Sequence, residues 1–160
     1  MSWQTEITEI VRYLVGDSSE VTYTDQQIQK NILIAARMIV TEVFFNTIYN
    51  INVSTLTLDP DPTDSSEDES KALINLISLK AACMILSSEY QIYAKRSVKI
   101  VDGPSSIDGT SIAKNLLDLS KDRCNQYSSY KMQYSMGSMN GGTAILTPTT
   151  SQYINPRVFS

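Results

Sequence analysis

A long apolar segment in the middle of the chain, residues 64–96, constrains the fold more than any other feature. Acidic residues open it and the basic pair Lys95 and Arg96 closes it, an arrangement that stabilises a helix dipole. Ser65 or Ser66 can cap the first turn. The segment predicts a helix over about residues 66–96, roughly 45 Å long at 1.5 Å per residue. One apolar face is expected from three- and four-residue steps, formed by Leu73, Ile77, Ala81, Met84, Ile85, Ser88 and Ile92.

Three further helices are predicted around this one. The first covers residues 2–15 and ends at a Gly-Asp-Ser-Ser turn. The second begins with a capping-box pattern, Thr24 with Gln27, and runs to about Asn46. It is apolar nearly all round, so we expect it to be buried on several sides, inside its own domain or against a neighbouring subunit. The last helix opens at residue 110 or 111 and reaches about Tyr134, with a face that turns from aliphatic to tyrosine.

Two segments have the alternation and β-branched content of strands. Residues 48–58 predict one strand, and residues 98–101 predict a second, followed by a Gly-Pro loop. We expect the two strands to pair beside the helices. The predicted fold class is therefore mainly α: a bundle of about four helices around a long central helix, with a small two-strand β element and an extended C-terminal tail.

The composition changes at Met136 and divides the chain into a helical domain, residues 1–135, and a linker with a tail, residues 136–160. Residues 144–160 contain no acid, a single base and too few apolar side chains to fold alone. The end of the tail combines aromatic, aliphatic and arginine side chains, which are typical of interface anchors. We predict a docking tail, with a disordered chain end as the alternative. The docking residues are Tyr153, Ile154, Asn155, Pro156, Arg157, Val158 and Phe159.

The loop before the long helix carries six acids and no base. It is either a solvated loop running into a helix N-terminus or a repulsive surface that faces DNA or a basic partner. The net charge of −4 argues against a protein whose main task is to grip nucleic acid, because phosphate binding needs a basic surface. We call this run the acidic segment; its members are Asp59, Asp61, Asp64, Glu67, Asp68 and Glu69.

No residue set for catalysis is apparent. The chain has no histidine, which removes the commonest general base and metal ligand, and no phosphate-binding glycine loop. We therefore expect no enzymatic activity, no cofactor and no metal site. Cys83 and Cys124 are expected to be buried reduced thiols, with a disulfide or a metal pair as the alternatives. Neither a signal peptide nor a membrane span is expected, which favours a cytoplasmic compartment.

The order of these elements resembles that of the head-to-tail adaptor (connector) proteins of tailed bacteriophages. Residues 23–28, with the small and apolar residues that follow, resemble the opening of that family's second helix. Residues 80–86, leading to Tyr90, resemble its long central helix. Residues 97–108 resemble its strand and loop, which precede a final helix. The resemblance covers roughly residues 1–135.

The resemblance implies a structural virion protein at the head–tail junction, assembled in the host cytoplasm. Such proteins form a ring, usually of twelve copies, beneath the portal protein. The ring extends the channel for double-stranded DNA, which passes without sequence-specific binding, and it offers a platform to the next neck or tail protein. No membrane partner is implied. By position, residues 153–159 would reach the portal, and the acidic segment would face the channel or the outer solvent. The alternatives are a small helical regulatory or nucleic-acid-associated protein, or another neck component such as a stopper or tail terminator.

Overall fold

The computed structural model describes residues 2–96, 100–102, 105–107 and 109–138 of the chain. The fold is mainly helical, as the sequence predicts, and the final helix continues beyond the expected domain boundary at residue 135. The docking residues 153–159 lie outside the described residues. The elements are α1 (Trp3–Val15), α2 (Asp25–Glu42), β1 (Asn50–Asn52), β2 (Thr57–Asp59), a 3-10 turn (Pro62–Asp64), α3 (Asp68–Arg96), β3 (Ile100–Asp102), β4 (Ser105–Ile107) and α4 (Gly109–Ser138).

Helix α3 forms the centre of the fold, and α1, α2 and α4 all contact it. Buried residues occur on more than one of its sides: Ala72, Leu73 and Ile74 are consecutive and all buried. The expectation of one apolar face is therefore wrong for the first part of α3, because three helices cover it. Full burial ends at Leu86 in the described part of α3, beyond which Ser88 is exposed and Ile92 is 45% exposed.

The length and composition of α3 would also allow it to cross a membrane, but this is a weak indication because core helices of soluble proteins share both properties. In this fold, more than half of the apolar window is buried against the rest of the chain.

Helices α3 and α4 pack antiparallel, and three side-chain pairs define their register. The ammonium of Lys80 lies 4.5 Å from the centre of the Tyr127 ring. Cys83 and Cys124 are joined by a disulfide, and the hydroxyls of Ser87 and Ser120 are 2.8 Å apart. Each step along α3, of three and then four residues, is matched by an equal step backwards along α4. The contacts therefore recur once per helical turn on facing sides of the two helices.

The disulfide corrects the expectation of two reduced thiols. Cys83 and Cys124 are 41 positions apart in sequence, and their Cα atoms are 4.9 Å apart in the structure. Both cysteines lie on the sides of α3 and α4 that face each other. The sequence spacing carries no information about this proximity, because it depends on how the two helices align.

The residues predicted to end α1 and to begin α2 do so in the structure. Gly16 ends α1 in the left-handed conformation, with φ of 79°. The capping box at α2 is present: Gln27 N–H donates to the Thr24 hydroxyl, and the Gln27 side chain accepts from Thr24 N–H. Helix α2 ends at Glu42, earlier than expected. The carboxylate of Glu69 accepts hydrogen bonds from Asn46 Nδ2 and Thr47 N–H, both at 2.9 Å, which holds the following segment outside a helix.

The β structure differs from the expected pairing. Residues 48–58 form a hairpin, not one strand, because the side chain of Asn52 accepts hydrogen bonds from the N–H groups of Ser54 and Thr55 and turns the chain. Strand β1 pairs with β2, placing Ile51 opposite the buried Leu58. Strand β3 pairs with β4. The prediction that the two segments pair with each other is therefore wrong, since each pairs within its own hairpin.

Replacing Cys83 with serine is expected to lower the free energy of unfolding by about 3 kcal/mol, because the disulfide no longer restricts the unfolded chain. Urea denaturation with and without a reducing agent measures this change. The double variant Cys83→Ser/Cys124→Ser is the control and should not respond to the reductant. Two titratable thiols in the denatured, unreduced wild-type protein would contradict the disulfide.

Candidate interaction surfaces

Two members of the acidic segment have specific structural partners. Asp61 Oδ2 accepts a hydrogen bond from Trp3 N–H at 3.0 Å, and its other oxygen accepts from the N–H and hydroxyl of Thr63. Asp61 thereby joins the start of α1 to the 3-10 turn. Glu69 holds the chain after α2 in the same way. The interpretation of a simple solvated loop does not describe these two carboxylates.

The other four members of the acidic segment are exposed. Asp59 lies in β2, Asp64 ends the 3-10 turn, and Glu67 and Asp68 lie at the start of α3. Asp68 pairs with Lys71 at 3.1 Å, but both side chains are exposed, so this pair contributes little to stability. These four carboxylates are therefore exposed negative charges within the ten residues that lead into α3.

Glu42 connects α2 to both α3 and α4. Its carboxylate accepts hydrogen bonds from Tyr127 Oη at 2.6 Å, Lys131 Nζ at 2.9 Å and Lys80 Nζ at 3.3 Å. The Tyr127 hydrogen bond, followed by the two lysines, lowers the pKa of Glu42 to about 2. Burial, with the same carboxylate, raises the pKa of Tyr127. Glu42 is thus a paired charge that fixes the C-terminal end of α2.

Aromatic side chains close the end of the fold beside this cluster. Phe45 stacks on Tyr134 with ring centres 5.5 Å apart, and Tyr49 meets Phe45 edge to face at 6.3 Å. The hydroxyl of Tyr130 accepts a hydrogen bond from Asn75 at 3.2 Å. Tyr130 and Tyr134, near the end of α4, therefore contact other residues of the same chain.

One side of α2 and the segment after it present apolar side chains to solvent. Ile34 and Met38 are 39% and 40% exposed, and Phe44 and Ile48 are 79% and 83% exposed. We call these four residues the apolar α2 surface. A groove of about 260 Å³ adjoins it, lined by Val40, Val43, Phe44, Phe45, Thr47, Ile48 and Tyr49. Helix α2 is thus buried on its inner sides and exposed on its outer side in the part of the chain that the structure describes.

Arg12 links α1 to the beginning of α2. Its guanidinium pairs with Asp17 at 3.0 Å and with Asp25, and it donates to the carbonyl of Tyr23. Burial would raise the pKa of Asp17, but hydrogen bonds from backbone N–H groups, beginning with that of Thr22, outweigh it and lower the pKa. On the side that faces the loop between the helices, the two terminal nitrogens of Arg12 therefore have hydrogen-bond partners.

A polar cleft of about 190 Å³ lies on the other side of Arg12, between α1 and α2. Arg12 Nε and Thr8 Oγ1 are buried there without a hydrogen-bond partner among the described residues. Carboxylates outnumber the single guanidinium in the cleft. Sequence reasoning missed this site, because its residues come from three segments and share no motif. The lining residues are Gln4, Thr5, Thr8, Glu9, Arg12, Glu20, Asp25 and Gln29.

Within the described ranges, no group of three or more acidic, cysteine or histidine residues is arranged to hold a metal ion. Comparisons with protein-family models, curated proteins and solved structures find no match to this chain. The surfaces described above are therefore the basis for a functional argument.

Replacing Glu42 with glutamine is expected to cost about 1 kcal/mol of stability at pH 7, a value reduced for the 28% exposure of its side chain. Because the folded pKa lies below the ordinary value of 4.5, this contribution is present above about pH 4.5 and is lost as the pH falls toward 2. Urea denaturation of wild type and variant at pH 7 and pH 3 should show the difference shrinking. Glu67→Gln, at an exposed position, is the matched control. An equal difference at both pH values would contradict the role of the charge.

Proposed function

We propose that the chain is a head-to-tail adaptor: a non-enzymatic structural protein that assembles as a ring beneath a portal and joins the capsid to the next neck or tail protein. The proposal rests on the resemblance of the element order and on one structural observation, the apolar α2 surface.

The apolar α2 surface supports an assembly role because its side chains have no cover within the described fold. Phe44 and Ile48 are almost fully exposed, although neighbouring apolar residues such as Val43 and Leu58 are buried. Phe44 and Ile48 also line one groove with other apolar side chains, and exposed apolar patches are typical of interaction sites. A ring subunit must bury such surface against its neighbours, since every copy has a contact on each flank.

The acidic segment supports a role next to DNA that does not involve gripping it. Four of its carboxylates are exposed, and the net charge of the chain is −4. Negative charge along a channel repels phosphates and lets DNA pass without adhering. In the proposed ring, Asp59, Asp64, Glu67 and Asp68 face the channel or the outer solvent.

The proposed portal contact lies in the C-terminal tail. Residues 144–160 combine a lone base with the apolar and aromatic anchors at residues 153–159, and they follow a helix that ends at Ser138. A tail that becomes ordered only when it binds can cover a large surface of its partner.

Mixing the purified chain with portal rings from the same virus tests the function. A ring of adaptor copies on the portal is expected by image analysis and particle mass, and it should fail to form when residues 144–160 are removed. The variant Tyr153→Ala/Arg157→Ala/Phe159→Ala should lose binding as well, because it removes the anchors. The matched control, Thr147→Ala/Thr149→Ala/Ser151→Ala, should bind like wild type. A chain that ignores the portal and binds DNA in a strongly salt-dependent way would instead support a nucleic-acid-associated protein.

A further inference from the structure

Two basic residues on the exposed side of α2 have no ion-pair partner within the described fold. Lys30 and Arg37 are exposed and form no ion pair with any part of the chain that the structure describes. Ile34 and Met38 lie on the same side, at helical spacing from them. We call these four residues the α2 stripe. It is basic and apolar, a combination that suits an acidic partner surface with apolar rims.

The cleft between α1 and α2 has the opposite character. Glu9 and Glu20 line it and are not part of any ion pair among the described residues, whereas the charge of Arg12 is already balanced by Asp17 and Asp25. The cleft therefore has excess negative charge. A second depression, of about 280 Å³, shares Glu9, Arg12 and Glu20 and continues to Tyr13, which is 80% exposed.

A buried polar atom also points to a ligand in this cleft. Thr8 is only 4% exposed, and its hydroxyl has no hydrogen-bond partner in the described structure. A buried hydroxyl without a partner is unfavourable, and an incoming ammonium or guanidinium could donate to it. The carboxylates of Glu9 and Glu20 would balance the charge of that cation.

The α2 stripe and the cleft lie on different sides of the same helix. Gln29 lines the cleft, and Ile34 follows five residues later, which places it about 140° further around the α2 axis at 3.6 residues per turn. One molecule can therefore offer its stripe to one neighbour and its cleft to another. Contacts between two different surfaces are heterologous, and they build rings when the rotation between copies closes.

We propose that copies of this chain join head to tail, with Lys30 or Arg37 of one copy entering the α1–α2 cleft of the next and Ile34 and Met38 packing near Tyr13. The occupant of the cleft is thus a second copy of this chain. This inference rests on the proposed ring function and specifies the contact between its subunits.

Charge reversal in the full-length chain tests the contact. Lys30→Glu/Arg37→Glu and Glu9→Lys/Glu20→Lys should each raise the concentration needed for half-assembly by at least about tenfold, because like charges then meet across the interface. Combining all four changes in one chain should restore assembly, which a folding defect would not do. Lys121→Glu, an exposed charge reversal on α4, is the matched control and should assemble like wild type. Particle mass, on and off the portal ring, is the readout.

A cysteine pair provides a second measurement. Oxidation of a Tyr13→Cys/Met38→Cys chain should give a covalent ladder of oligomers, and either single variant should give none. Dimers from a single variant would show that like surfaces meet and would overturn the proposal. Rings that form normally with both charge-reversed variants would also overturn it while leaving the adaptor function intact. Failure of the wild-type chain to form any ring would contradict both the proposed adaptor function and this contact.

Discussion

The burial of α3 on several sides is the constraint on which the rest of the fold depends. Ala72, Leu73 and Ile74 are consecutive, about 100° apart around the helix axis, and all buried, so no single partner helix could cover all three. Helices α1, α2 and α4 must therefore each turn apolar residues inward against α3. This arrangement determines what they present outward. Helix α2 has more apolar residues than its inner sides bury. Ile34 and Met38 remain exposed and, with Phe44 and Ile48 of the following segment, form the apolar α2 surface.

Two charged clusters, one at each end of α2, set the orientation of that helix. Arg12 binds Asp17 and Asp25 at the beginning, and Glu42 binds Tyr127 and two lysines at the end. Arg12 and Asp17 are buried, and a buried charge is tolerated only with its partners in place. Rotation of α2 would remove Asp25 from Arg12 and would also break the hydrogen bonds of the partly exposed Glu42. The two clusters therefore help to fix which side of α2 faces solvent. They also help to fix where the α2 stripe lies relative to the cleft.

The sequence predicted the features whose signals are local. The capping box at Thr24 needs only four consecutive residues, and the four helices follow from their own patterns. Prediction from the sequence failed where distant segments meet. Trp3 N–H, which donates to Asp61, is 58 positions away, and Thr47 N–H, which donates to Glu69, is 22 positions away. Residues 48–58 form a hairpin and not the single predicted strand, because the turn depends on hydrogen bonds to the Asn52 side chain. The cleft between α1 and α2 has no local signal, because it exists only once Arg12 meets Asp17 and Asp25 across the loop between the helices.

The disulfide has a mechanical consequence for the proposed adaptor, which would join a capsid to a tail. It joins α3 to α4 near the middle of both helices, so neither can slide along the other by a turn while the bond is intact. If the chain were pulled from its two ends, the 41 positions between the cysteines would not extend. The reachable contour length would be shorter by roughly 140 Å, at about 3.5 Å per residue. The disulfide thus keeps tension from passing through the segment between its two cysteines.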